Sequence, residues 1–162
     1  MRQKHSSDFK EMDYKVLLRH CNSRCPREKF DIVLSCWDIH GGKQWSKHCG
    51  KHTEIMHACC ESAQFATITK ICRDQSELLW ETGRNDLRVV CVCNQGRHRS
   101  VAISSILSAV YREMGFNTSE PTHLSKHSWW EGMCDKCRDC RPNAKKDELF
   151  KQLARSFSTT SE

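Results

Sequence analysis

The feature that most constrains this chain is a nearly unbroken apolar run at residues 89–93, followed by a short loop crowded with glycine, arginine and histidine, and then by an amphipathic stretch that stops at Gly115. Val89, Val90, Cys91, Val92 and Cys93 do not alternate with polar residues, so the strand they predict is covered on both faces, as in a parallel sheet. Beyond the loop, Ile103, Ile106, Leu107, Val110, Tyr111 and Met114 recur at helical spacing, and Gly115 stands where a left-handed C-terminal cap is wanted. Parallel strands need a crossover between them, usually helical. The expected class is therefore α/β, with right-handed crossovers and functional loops at the carboxyl ends of the strands.

The remainder of the chain fits that class. Residues 14–18 and 30–37 are short apolar, partly β-branched runs, with Cys25-Pro26 in the loop between them. A Gly41-Gly42 turn leads into a polar, His-rich loop ending near Thr53, which is placed to cap a helix starting at Glu54. Helical periodicity continues through Ile55, Cys59, Ile68, Ile71, Cys72, Leu78 and Leu79, and Gly83 marks its end. No internal repeat is found. The predicted architecture is a three-layer α/β fold, a mostly parallel sheet with helices on both faces, plus a small Cys-rich C-terminal arm. Residues 1–12 are expected to be disordered, 13–128 to form the α/β domain, 129–155 the Cys-rich arm and terminal helix, and 156–162 a disordered Ser/Thr tail.

A chain of 162 residues is one domain's worth, able to bury about two-thirds of its unfolded surface. It has no apolar run near the roughly 18 to 20 residues that span a bilayer, and its charged N-terminus lacks the apolar stretch of a signal peptide. No membrane association is expected, and the compartment expected is cytoplasmic or otherwise intracellular. The 12 cysteines then read as free thiols rather than a disulfide scaffold, most of them small hydrophobic filler in apolar stretches, as at Cys36, Cys59, Cys72, Cys91 and Cys93. The formal charge of +6 favours anionic partners without singling out nucleic acid.

The loop itself reads Cys93-Asn94-Gln95-Gly96-Arg97-His98-Arg99-Ser100, a cysteine followed after five residues by Arg-Ser. That spacing lets turn N–H groups, the positive end of the following helix dipole and the fork of Arg99 converge on one oxyanion. Gly96 permits close backbone approach, Ser100 can donate to the ligand or cap the helix, and Arg97 and His98 add positive charge. The plainer alternative is a helix N-terminus carrying surface arginines. Asn94, Gln95, Gly96, Arg97, His98, Arg99 and Ser100 are the candidate ligand-binding residues. One class with this pattern is the cysteine-dependent phosphatases, in which Cys93 would be the nucleophile and Arg99 the clamp. That mechanism also wants a carboxylic acid nearby, and Asp38, just past a strand end, is the best placed.

A second class shares the pattern, and the residues from Gly96 to Ile103 resemble it more closely. The chain resembles the C-terminal domain of the RapZ family of RNase adapter proteins, whose loop reads Cys-Thr-Gly-Gly-x-His-Arg-Ser-Val. The resemblance includes the helix, Gly115, His123-Leu124 about where that family has a histidine after its next strand, and an echo in Cys25-Pro26 and Phe30-Asp31-Ile32-Val33-Leu34. It spans about residues 14–128 and is specific at 93–103. Asn94-Gln95 replaces the family's Thr-Gly, and Ser35-Cys36-Trp37 stands where the family usually has Asp-x-Arg. The resemblance implies a pocket for a phosphorylated small molecule, an amino-sugar phosphate in that family, with His123 among the ligand-binding residues, on a domain that also binds RNA. The family's kinase-like domain with its P-loop has no counterpart, so ATP binding is not expected.

Near the end, Trp129 and Trp130 precede Cys134-x-x-Cys137-x-x-Cys140, a spacing suited to three thiolates on one structural zinc. His127 is taken as the fourth ligand, with His123 or the Cys21/Cys25 pair as alternatives and iron–sulfur as the lesser metal option. His48, Cys49, His52 and His57 read as polar loop or pocket lining rather than a second metal site. A third functional class, a zinc-stabilised interaction module with a vestigial loop, remains open on these residues.

Overall fold

The buried run forms strand β3, Asp86–Cys93, at the heart of a parallel sheet. It pairs on one side with β2, Ile32–Ser35, and on the other with β1, Ser6–Asp13; β1 in turn carries the two-residue strands β4, Asn117–Thr118, and β5, Thr122–His123. The computed structural model describes residues 6–13, 30–40, 48–93, 97–124, 126, 129, 132 and 134–159. The expected strand at 14–18, Cys21, the Cys25-Pro26 and Gly41-Gly42 turns, Asn94, Gln95, Gly96, His127 and Trp130 lie outside them. The strand order is β2-β3-β1-β4, and every pairing is parallel.

The first strand is a correction. Residues 6–12 were expected to belong to a disordered leader, because the segment is mostly polar and charged. Instead Ser6–Asp13 sits in the middle of the sheet, paired along its whole length with β3. Parallel pairing on both edges satisfies its backbone, and Phe9, fully buried, supplies the apolar anchor. Hydropathy alone cannot register a strand held chiefly by its main chain.

Alternation within β3 divides the interior. Val89, Cys91 and Cys93 join Phe9, Ile32 and Leu34 in the main core, whereas Val90 and Val92 face the other way, against Phe30 and Leu124. The main core is closed by α1 (Thr53–Glu61), α2 (Ala63–Glu81), α3 (Arg99–Glu113) and α4 (Ala144–Thr159). The fold is thus α/β around a parallel sheet, with a Cys-rich arm before the last helix. Among the described residues no helix is long and apolar enough to cross a membrane.

The helical region after Thr53 is two helices rather than one. Ser62 adopts an extended conformation (φ −64°, ψ 137°) and donates its N–H to the Cys59 carbonyl, which ends α1 and starts α2. The cap of α1 is His52, not Thr53: the His52 Nδ1 accepts from the Glu54 N–H at 3.1 Å, while the Thr53 hydroxyl donates to the Asp139 carbonyl at 3.1 Å. Helix α3 is buried on nearly every side and ends, as its sequence predicts, at Gly115 with φ +93°. The tail also departs from expectation, since α4 runs on to Thr159 and buries Phe157 with Leu149 and Ala154. A stripe of three apolar residues in a polar segment is easily missed, yet it is enough to dock a helix.

Candidate functional site: the 93–100 loop and a cysteine–histidine cluster

The loop begins where β3 ends, at Cys93, and closes where α3 begins, at Arg99. Its core contact is between the Cys93 Sγ and the Ser100 Oγ, 3.1 Å apart, both atoms belonging to buried residues. Arg97, His98 and Arg99 are half-buried around the turn. His98 is the N-cap of α3 and makes no side-chain capping bond, so the helix start is not plugged by its own cap. The Arg99 Nη1 donates to the Trp37 carbonyl, which draws the guanidinium across to the carboxyl end of β2. Asp38, the residue after Trp37, is exposed.

His123 reaches the same edge from the other side. It lies opposite Glu11 of β1, which itself lies opposite Cys91, so one strand separates it from β3 near the loop. Burial, then the positive charges of Lys51 and Lys126, lower its pKa to about 4. At neutral pH it is an uncharged imidazole, stacked obliquely on Trp129 at 5.5 Å.

Gly50 is the residue that sequence reasoning missed. Its N–H donates to the Arg97 carbonyl at 2.8 Å, and a Cβ built on it would lie 1.9 Å from the His98 carbonyl oxygen and 2.4 Å from the Ala102 nitrogen. The main chain of residues 49–51 therefore lies directly on the first turn of α3. A lone glycine among bulky neighbours, in His48-Cys49-Gly50-Lys51-His52, was the available signal.

The same segment carries the second feature. The His48 Nδ1 is 3.8 Å from the Sγ atoms of both Cys134 and Cys140. Ligand atoms of His48, Cys134 and Cys140 lie within 4.8 Å of one another, as do those of His48, His52 and Cys137. A tetrahedral zinc with about 2.3 Å bonds to sulfur and about 2.05 Å bonds to nitrogen has an N···S edge of about 3.6 Å, close to the spacing of His48 from these two thiols. The three arm cysteines and His48 could hold a metal ion. The expected histidine ligand, His127, is outside the described residues, and the imidazole brought to the thiols is His48. His48 and His52 were expected to line a polar loop; they belong to the arm's cluster instead, from some 86 residues upstream of Cys134. Among the described residues His57 joins no such group.

The thiols of the cluster are not equivalent: burial raises the pKa of Cys134 in the metal-free chain. The Cys49 N–H donates to the Cys134 Sγ at 3.3 Å. Cys49 is buried beside Cys140, whose thiol donates to it; that bond lowers the Cys49 pKa to about 6 and holds the Cys140 proton in place, raising its pKa. His52, desolvated and therefore lowered in pKa, is a neutral imidazole. By contrast, Cys59, Cys60 and Cys72 are raised by burial, Cys72 to about 11, and behave as core filler. Among the described cysteines none is in a disulfide.

No family model matches this chain, and no curated protein is found to match it. What the site can do is therefore argued from its geometry.

Proposed function

We propose that the chain is a regulatory binding domain that holds the phosphate of a phosphorylated small molecule, of the sugar-phosphate class, in the loop from Cys93 to Ser100, as the resemblance to the RapZ C-terminal domain implies. The observation that carries this reading is Arg99: it opens a 15-residue helix with no side-chain cap, and its only partner among the described residues is the Trp37 carbonyl. A guanidinium offers five N–H donors in a fixed fork, so one bond to a carbonyl orients it and leaves an edge for an oxyanion. The N–H groups and dipole of the helix start add to the same field. His123, neutral and at the neighbouring strand end, suits a sugar hydroxyl better than a second charge would.

Arg99→Ala should abolish binding of a hexosamine phosphate measured calorimetrically, and Arg99→Lys should recover little, because an ammonium lacks the planar fork. Undiminished binding by the alanine variant would sink the assignment. RNA phosphates are a further ligand on this reading, supported by the net charge of +6 and the same resemblance.

The second reading is a cysteine-dependent phosphatase, favoured by the 3.1 Å contact of the Cys93 thiol with the Ser100 hydroxyl. Against it, Cys93 belongs to the main apolar core. In both readings the cluster of His48, Cys134, Cys137 and Cys140 holds zinc, a metal that suits sulfur and imidazole donors.

A further inference from the structure

Four contacts made by three consecutive residues tie the cluster to the loop. His48 faces the Cys134 and Cys140 thiols, the Cys49 N–H holds the Cys134 sulfur, and the Gly50 N–H holds the Arg97 carbonyl. The close fit of Gly50 on His98 and Ala102 leaves no slack in that linkage. Lys146, 4% exposed, lies on the same side, where it donates to the Arg141 carbonyl at 2.9 Å and stands near Asp139 as well as Cys140 and Cys49.

We infer that metal bound by His48, Cys134, Cys137 and Cys140 controls the anion loop: it fixes the 48–50 segment in the position from which Gly50 supports Arg97 and the start of α3. The inference rests on the phosphate-binding reading above and adds to it a regulator. When the metal leaves, His48 is released, the Gly50 brace slackens, and Arg97, His98 and Arg99 lose their common alignment. Zinc is closed-shell and takes no electrons here; its release by chelation requires only that the thiolates recover protons from water.

The test uses the full chain and inorganic phosphate as probe. Replacing zinc by Co²⁺ should produce the intense thiolate-to-metal charge-transfer absorption of a cysteine-ligated site, and its absence would overturn the inference. Phosphate should bind the metal-loaded chain at least about tenfold more tightly than the chelated chain, with recovery on adding zinc back; equal affinities would overturn the inference while leaving the phosphate site in place. Failure of the metal-loaded chain to bind phosphate would instead remove the functional reading and the inference with it. Because the metal-free chain can unfold, a second measurement stays with the folded, loaded protein. Coupling is reciprocal, so saturating phosphate must tighten zinc by the same factor by which zinc tightens phosphate. Competition against a chromophoric chelator reads this directly, and zinc affinity indifferent to phosphate would refute the link.

Discussion

Substituting Gly50 by alanine isolates the contact on which the coupling depends. The added methyl would stand 1.9 Å from the His98 carbonyl oxygen and 2.4 Å from the Ala102 nitrogen. Both are main-chain atoms of a helix start, so neither can swing aside as a side chain could. Relief must come from moving the 49–51 backbone outwards, which lengthens the 2.8 Å bond from the Gly50 N–H to the Arg97 carbonyl. Overpacking of this kind costs about 1–3 kcal/mol, and the lost bond about 0.5–1.5 kcal/mol. Together they amount to about 2–4 kcal/mol; at about 2–4 °C per kcal/mol for a chain of this size, the melting temperature should fall by about 5–15 °C. Gly83→Ala provides the control. Its φ of +92° makes alanine strained, but nothing lies within 4 Å of the new methyl, so only the left-handed penalty of about 1–2 kcal/mol applies. Thermal unfolding followed by circular dichroism, with phosphate titrated at a temperature where both variants are folded, separates the two. Gly50→Ala should weaken phosphate binding and Gly83→Ala should not. A Gly50→Ala protein as stable as wild type, or one that binds phosphate normally, would mean the close approach on α3 does not support the loop.

Three further outcomes are expected. Wild-type protein should hydrolyse aryl phosphates no faster than Cys93→Ser, with both binding a sugar phosphate comparably; turnover lost only in the serine variant would promote the phosphatase reading. His123 has a folded pKa of about 4, below its ordinary value, so on acidification from about 6.5 to about 4 the unfolded chain takes up a proton that the folded chain refuses. Stability should therefore be full at neutral pH and decline through that window, and His123→Gln should flatten part of the decline in urea midpoints measured at pH 7 and pH 5; parallel profiles would contradict it. RNA binding, measured from 50 to 200 mM salt, should weaken steeply, because releasing condensed counterions gains less entropy as the bulk salt rises. Salt-insensitive binding, or none at low salt, would count against an RNA role.

What could be read from the sequence divides along physical lines. Strand β3 and helix α3 were legible because side-chain burial defines them: an all-apolar strand and a periodic helix leave their pattern in composition, and Gly115 marks the stop. Strand β1 was not, because its position is held by main-chain pairing with β3, to which any sequence can contribute, and only Phe9 betrays it. The break at Ser62 was hidden because periodicity continues on either side of one extended residue. The Cys-x-x-Cys-x-x-Cys arm announced a cluster that could hold a metal ion, since local spacing carries that signal. Its histidine did not, since His48 meets Cys134 and Cys140 only after α1, β3 and α3 have folded between them.

The placement of that histidine changes how the two chemical features should be understood. Taken as sequence motifs, an anion loop at 93–100 and a cysteine arm at 134–140 are separate devices, and loss of one should leave the other intact. In the folded chain they meet through a segment that does three jobs at adjacent positions: His48 faces the thiols, Gly50 braces the loop, and His52 caps α1. Helix α1 in turn touches the arm, where the Thr53 hydroxyl donates to the Asp139 carbonyl and accepts from Asn143 at 3.0 Å. A displacement of one ångström anywhere in residues 48–53 is therefore felt at the thiols, at the start of α3 and at the start of α1 together. Close-packed backbone of this kind does not deform gradually, so the segment is either seated or released. On the inference above, a metal that seats it would be a condition for the 93–100 loop rather than a staple elsewhere in the molecule.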